Sequence, residues 1–357
     1  MITYKFRIYP TKYQQDLLWW QATCLNRLYN YFLNIKINTY NDYNITLSKP
    51  DLDKILTSLK KYNPDLNNIH SQVLQSVTKR LDIAYKSFFN SNFGFPKYRS
   101  NKNFFGLLYP QGGYNILNNK INISKIGIIK CKFHRNIEGN IKQLFITKNN
   151  DNKWYVCITT DKELLCNDTN SSIGIDLGIT KFATLNDGSY YPKLTHISYF
   201  DKQINNLKSK RDKSCKQHSK RWKYLSKTIK RLYVVKKRKI NDFLHKVSRY
   251  LSNKYDTIFV EDLNIKSMSE SDKVGLNREI RNTCWSRFIN FLDYKTYELI
   301  KVNPYNTSKK CSQCGTLHNL SLRDRIMNCN ICGLILDRDH NAAINIHCLG
   351  QAILNQR

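Results

Sequence analysis

The spacing of apolar positions changes several times along this chain, and each change predicts an element. Residues 3–9 alternate like a strand and are closed by Pro10. Thr11, with Gln14 three residues on, reads as a capping box. Leu17, Leu18, Cys24, Leu25, Leu28, Phe32 and Leu33 then recur at helical spacing, which predicts one or two helices to about residue 38. Residues 38–49 are polar and read as loop. Leu52, Ile55, Leu56 and Leu59 predict a short helix that ends before Pro64. Residues 71–89 give the clearest helix of this half, with Val73, Leu74, Val77, Leu81, Ala84, Tyr85, Phe88 and Phe89 on one face. Such stripes mean core packing before they mean chemistry. Residues 92–100 follow as a turn carrying charge and aromatic rings.

From residue 104 to about 161 the period shortens. Residues 115–120, 121–123, 127–132, 140–147 and 154–160 read as strands with Gly and Asn between them. Short strands at this spacing predict a small barrel, with residues 3–9 pairing into it across the helical insertion. Residues 164–172 are a polar linker. A buried strand then runs to Asp176, and residues 181–185 with Asn186-Asp187-Gly188 give a second strand and a hairpin turn. Residues 198–253 read as a very basic helical hairpin, held by Ile204, Leu207, Trp222, Leu225, Ile229 and Leu232. A third core strand ends at Glu261. Residues 284–297 are helical, 299–303 extended, and 339–348 helical again.

Charge alters this picture. Lys and Arg total 58 against 27 Asp and Glu, a net charge of +31. That excess exceeds what solubility needs and implies a polyanionic partner, nucleic acid first. Lys97 and Arg99 in the turn, and Lys210, Arg211, Lys220, Arg221 and the run Lys236-Lys237-Arg238-Lys239 in the hairpin, are the candidate contacts. No apolar run approaches the length of a membrane span and no signal peptide is expected, so the chain is expected to be intracellular, with no membrane partner.

Two motifs carry chemistry. Cys311-x-x-Cys314 and Cys329-x-x-Cys332 have fourteen residues between them. Each pair offers two thiolates from one tight turn, and two pairs complete the tetrahedral site that Zn²⁺ prefers. Gly315 and Gly333 follow the pairs, where the turn calls for positive φ. With four protein ligands the zinc is structural, and 11 cysteines in all, seven of them scattered, fit a reducing compartment. The second motif is acidic. Asp176 and Glu261 stand in or at the end of apolar strands, and Asp339 opens a helix. A buried carboxylate costs several kcal/mol unless satisfied. Three together call for a hard divalent cation, Mg²⁺ or Mn²⁺, of the kind that hydrolyses phosphodiesters.

The segments GIDLGI, VEDLNI, NTSKKCSQCG with CNICG, and DRDHNAAINI together resemble the TnpB (OrfB) family of transposon-encoded proteins. YKFRIYPT, VLQSVTKRLDIAYKSFF, FPKYRS and KWYV extend the resemblance over nearly the whole chain. It implies an α/β multidomain protein: an RNase H-like (RuvC) nuclease core split by a four-cysteine zinc ribbon, plus an N-terminal β-barrel interrupted by a helical recognition domain. The barrel takes residues 1–10 and 101–168, the helical domain 11–100, the nuclease 169–308 and 337–357, and the ribbon 309–336. The implied activity is cleavage of DNA guided by an RNA from the mobile element, leaving 5′-phosphate and 3′-hydroxyl ends. By motif, Asp176, Glu261 and Asp339 fall on the catalytic acids and the four paired cysteines on the zinc ligands. Asp337 is the runner-up for the third acid.

One departure stands out. Between residues 291–295 and 299–302 the family has several more residues, so Thr296-Tyr297-Glu298 must join helix to strand alone. The helix must end early or the strand begin late. Two rival readings remain open: a nuclease-inactive nucleic-acid binder acting as a transposition accessory or regulator, and a transposase that itself joins strands. Expected partners are DNA, the guide RNA and a separate transposase, with a monomer favoured. The expected compartment is the cytoplasm of a prokaryote, or the nucleus or cytoplasm of an infected host if the gene is virus-borne.

Overall fold

The computed structural model describes residues 1–90, 93–101, 104–149, 151–163, 171–194, 196–270, 274–321 and 324–356. The chain divides into two compact units, Met1–Glu163 and Leu164–Arg357. No helix among the described residues is long and apolar enough to cross a membrane.

The first unit opens with β1 (Ile2–Tyr9), whose Tyr4, Phe6 and Ile8 are buried while alternate residues face outward. Then come α1 (Lys12–Tyr43), α2 (Lys49–Tyr62) and α3 (Ser71–Asn90). The Thr11–Gln14 capping box forms, with Gln14 N donating to Thr11 Oγ1 at 3.2 Å and Thr11 N to Gln14 Oε1 at 3.0 Å. α1 is longer than the apolar stripe predicts. Residues 38–43 are helix, not loop, because neither Gly nor Pro interrupts them and Asn44 closes the helix at φ 55°. Six more strands follow: β2 (Leu107–Tyr109), β3 (Tyr114–Leu117), β4 (Lys120–Ile123), β5 (Gly127–Lys132), β6 (Ile141–Lys148) and β7 (Trp154–Thr160). β2 escapes sequence detection because three residues carry no readable alternation.

The seven strands form one antiparallel sheet in the order β2-β6-β7-β1-β5-β4-β3. β1 sits inside it, paired with β7 (Phe6↔Val156) and with β5 (Ile8↔Cys131), as the sequence predicts. No ladder among the described residues joins the edges β2 and β3, so the expected barrel is a near-closed sheet. Leu18, Leu25 and Phe32 of α1 and Val73, Leu74 and Leu81 of α3 share its core.

The second unit is built on β8 (Ser172–Asp176), β9 (Lys181–Leu185), β10 (Tyr190–Pro192), β11 (Thr257–Glu261) and β12 (Glu298–Val302), ordered β10-β9-β8-β11-β12. β8, β11 and β12 are parallel. Between β10 and β11 lies the basic hairpin, α4 (His196–Ser214) and α5 (Lys220–Lys254), packed through Phe200, Ile204 and Ile229. α6 (Ile265–Met268), α7 (Val274–Thr283) and α8 (Trp285–Asp293) precede β12. The ribbon hairpin β13 (Ile326–Asn328) and β14 (Ile335–Asp337) leads into α9 (Arg338–Leu354). Of the predicted linker, residues 164–170 lie outside the described residues.

Strand alternation sorts the packing. Ile173, Ile175, Ile258 and Val260 join the core made by Leu244, Val247 and Leu251 of α5 and Trp285, Phe288 and Leu292 of α8. Phe259 turns the other way and meets Ile346 of α9. Gly174 also faces α9. A Cβ there would stand 2.5 Å from the Ala343 carbonyl oxygen and 2.7 Å from the His347 nitrogen. Gly350 repeats the device from the helix side, where a Cβ would fall 2.1 Å from the Phe259 ring.

The short connection is absorbed by the helix. α8 stops at Asp293, and the nitrogens of Lys295 and Thr296 donate back to the Leu292 carbonyl at 2.9 and 2.8 Å. β12 then starts at Glu298, one residue earlier than predicted, and pairs with β11 without a register shift. The Lys295 ammonium folds inward and donates to Ser248 Oγ at 2.6 Å.

Gly174→Ala is expected to force backbone apart rather than a flexible side chain. Chemical denaturation should show unit 2 destabilised by about 1–3 kcal/mol, the range for overpacking a core; an unchanged midpoint would show that α9 has room to spare.

Candidate active site

Asp176 ends β8 and Glu261 ends β11. The ladder pairs Phe259 with Gly174 and Val260 with Ile175, so the next rung brings Glu261 beside Asp176. Neighbouring strands lie about 4.8 Å apart, and paired residues share a face. For Asp176 that is the face of Gly174, two residues earlier, and therefore the face of α9. Since Gly174 lies against Ala343 and His347, the first turn of α9 carries Asp339 toward Asp176. Thus two strand ends and one helix start bring the three predicted acids together, all half-buried.

The electrostatics agree. Burial pushes the Asp176 carboxyl well above the usual carboxylate range, and the charges of Glu261 and Asp339 push it further; Arg338 only partly relieves it. Burial also raises Glu261, against the hydrogen bond that Thr307 Oγ1 donates to its carboxylate. Asp337 differs. Burial would raise it, but the Lys181 ammonium at 2.8 Å and the backbone N–H groups of Asp339 and His340 outweigh that and hold it low. Asp337 is the N-cap of α9, already satisfied.

The four cysteines also converge. Their Sγ atoms all lie within 4.8 Å of one another, with Cys311–Cys332 at 3.6 Å and Cys314–Cys329 at 3.5 Å. Tetrahedral coordination at 2.3 Å would set sulfur atoms about 3.8 Å apart, so this group can hold one metal ion. The two turns are built alike. Gly315 N donates to Cys311 O at 3.0 Å and Gly333 N to Cys329 O at 2.9 Å, with φ of 80° and 74° at the glycines. The Thr316 hydroxyl holds the Cys314 thiol down to about 6.

Sequence reading missed the residues that brace the acids. Asn345 donates to the Thr307 carbonyl at 2.8 Å and the Lys310 carbonyl at 2.7 Å. Asn341 donates to Lys310 O at 2.8 Å and accepts from Ser312 N at 2.9 Å. Arg338, buried, donates to Ser308 Oγ at 3.1 Å and to the Ser321 carbonyl. These bonds fasten the cysteine segment to α9 and set Thr307 against Glu261. Asparagines four apart in DRDHNAAINI, on the face that bears the apolar residues, were the available signal.

The basic candidates divide. Lys97, Lys210, Lys220, Arg221, Lys237, Arg238 and Lys239 are exposed. Lys236 is not a surface cation: its ammonium lies 2.6 Å from Asp201 and 3.4 Å from Asn282 Oδ1. Arg211 pairs with Asp212 at 2.7 Å, and the Arg99 guanidinium lies over the rings of Tyr29 and Phe105 at 4.6 and 4.9 Å.

Comparison with known proteins matches residues 155–272 to the OrfB_IS605 family, described as "Probable transposase". Residues 285–346 match a Cas12f1-like TNB domain, and residues 1–44 a helix-turn-helix domain, although here that segment is one strand and one continuous helix. The chain is 30% identical over an alignment of 310 positions to the Escherichia coli (strain K12) protein named "Putative RNA-guided DNA endonuclease InsQ", covering 81% of this chain and 77% of that relative. It is 28% identical over an alignment of 370 positions to a Streptomyces pristinaespiralis protein named "Putative RNA-guided DNA endonuclease", covering 98% of this chain and 89% of the relative. The Cas12f1 chain of a cryo-EM complex with sgRNA and target DNA shares the fold at TM-score 0.58 and 18% identity, over 94% of this chain and 82% of that one. The chain belongs to the OrfB (TnpB) family of IS605-type transposases.

Proposed function

We propose that this chain is an RNA-guided, divalent-metal-dependent DNA endonuclease of a mobile element, and that Asp176, Glu261 and Asp339 are its catalytic acids. The observation that carries the reading is their convergence from β8, β11 and α9 around an Asp176 whose charge is poorly compensated by the protein. Oxygen donors of this kind suit Mg²⁺ or Mn²⁺. A bound divalent ion would supply an activated water and a Lewis acid for the phosphodiester. The chain's own residues do the positioning. Thr307 fixes Glu261, and Asp337 caps α9 so that Asp339 faces the strands.

On this reading the second unit is the RNase H-like (RuvC) core, residues 169–308 and 337–357, with the zinc ribbon at 309–336. In the first unit, the near-closed sheet of residues 1–10 and 101–168 is the barrel domain, and 11–100 the helical recognition domain. The relatives named as RNA-guided endonucleases support guide RNA and DNA as partners. The exposed cations of the α4–α5 hairpin supply phosphate contacts.

Asp176→Ala, Glu261→Ala and Asp339→Ala are each expected to lower Mg²⁺-dependent DNA cleavage on the order of 10²-fold or more, the scale for losing one group that stabilises transition-state charge. RNA and DNA affinity should stay near wild type. Asp337→Ala should keep far more activity and cost about 1 kcal/mol of stability as a lost cap. A dead Asp337→Ala beside an active Asp339→Ala would reverse the assignment.

A carboxyl raised by folding holds a proton that the unfolded chain has released, so its contribution to stability is lost as pH rises. For Asp176 that loss begins near its unfolded pKa of about 3.9 and is complete above its raised folded value. In EDTA at neutral pH, Asp176→Asn should therefore melt higher than wild type. Added Mg²⁺ should raise the wild-type midpoint by mass action and the variant's much less. A variant that melts lower in EDTA would contradict this electrostatic account.

One zinc per chain is expected on Cys311, Cys314, Cys329 and Cys332, since four thiolates at these distances suit that ion. Elemental analysis should find it in wild type and not in Cys311→Ser with Cys314→Ser. Zinc at full stoichiometry in the double variant would rule the site out.

A further inference from the structure

The first unit carries an exposed group of aromatic rings that the candidate active site does not use. The last turns of α3 bear Tyr85, Phe88 and Phe89, and the chain returns past them through Phe93, Phe95 and Tyr98. Phe89 is 70% exposed, Phe93 67%, Tyr98 57% and Phe95 44%. The cluster is held rather than loose. Phe95 stands edge-on to Tyr85 at 5.6 Å and to Phe88 at 5.3 Å, and Phe88 meets Phe89 at 5.0 Å. Asn30 of α1 fastens the returning segment, accepting from Arg99 N at 2.7 Å and donating to Arg99 O at 2.9 Å. The Tyr98 hydroxyl reaches Asn34 Oδ1 at 3.2 Å, and Pro96 is buried.

Phe89, Phe95 and Tyr98, fixed by these contacts and still left in water, mark a docking surface, and the exposed Phe93 adjoins them in sequence. Charge selects the occupant. Between Asp82 and Glu138 the chain holds no Asp or Glu, while Lys86, Lys97, Arg99 and six further Lys and Arg fall in that span. Asp82 itself is paired with Lys86 at 3.0 Å. Lys97, exposed, stands in sequence between Phe95 and Tyr98, and the Lys36 ammonium lies 4.8 Å from the Tyr85 centroid. Asp82 and Asp51 both act on Lys36, so the cation offered to a phosphate is the exposed Lys97. Flat rings with such a cation are what an unpaired nucleotide needs. Its base stacks and its phosphate meets the ammonium.

We propose that Phe89, Phe93, Phe95 and Tyr98, with Lys97, form a stacking platform for unpaired bases of a single nucleic-acid strand. The platform rests on the reading of the chain as a nucleic-acid enzyme and adds to it a base-binding site in the first unit. Preorganised rings lose little freedom on binding, and stacking tolerates any base, so the platform reads strandedness and not sequence.

The test uses the full chain and labelled 12-nucleotide probes: oligo(A) and oligo(U) RNA, oligo(dA) and oligo(dT) DNA, and an abasic sugar-phosphate strand. Anisotropy titrations are run across a salt series. Phe89→Ala with Phe93→Ala, two exposed positions, should weaken base-bearing probes about 10-fold or more, the effect of losing one or two stacked bases. Abasic binding and the salt slope should not move, because phosphate contacts are untouched. Tyr at both positions should restore affinity and Leu at both should not. A loss on RNA, on DNA or on both supports the platform and names its strand. Wild-type affinity in the alanine variant overturns it, and so does full rescue by leucine, which would mark an apolar protein-docking face. Wild type that binds none of the probes would overturn the nucleic-acid reading itself, a different result from either.

Discussion

The second unit depends on how closely α9 lies on the sheet. Gly174 and Gly350 remove side chains from opposite sides of that contact, at places where a Cβ would meet backbone or a phenylalanine ring. With the helix flush, Asp339 in its first turn comes level with the end of β8. A helix held off by even one methyl group would carry Asp339 away from Asp176. The acids therefore owe their meeting to two residues with no chemistry of their own.

The same contact explains why the cysteine segment lies just before α9 in sequence. Asn341 and Asn345 reach from the helix to the backbone of 307–312, and Arg338 reaches to 308 and 321. Through Thr307 that brace touches Glu261. A segment too short for a core of its own would gain rigidity from a metal held by the four cysteines and pass it to the acids. Removing metal from the cysteines would then loosen the acid cluster as well as the ribbon.

Most of this was legible in the sequence where local rules decide. The capping box at Thr11, the alternation of β1, the two cysteine turns with positive-φ glycines and the helical hairpin all follow from short-range physics. So do Asp176 and Glu261, because a charged residue at the end of an apolar strand is conspicuous, whereas Asp339, in the first turn of a helix, stood out only by its motif. What could not be read depends on tertiary partners. Lys236 looks like its neighbours Lys237 and Lys239, but folding sets it against Asp201. The short connection after α8 works because Lys295 finds Ser248 and the helix simply stops at Asp293. β2 is three residues long and exists only because β6 is there to pair with it.

The central claim is that Asp176, Glu261 and Asp339 form one divalent-cation site. Anomalous scattering from crystals of the protein soaked in Mn²⁺ tests it most directly. The account predicts a manganese peak in contact with carboxylate oxygens of Asp176, Glu261 and Asp339, absent from crystals of Asp176→Asn. Manganese bound at Asp337 in place of Asp339, or found only outside the ends of β8 and β11, would contradict it.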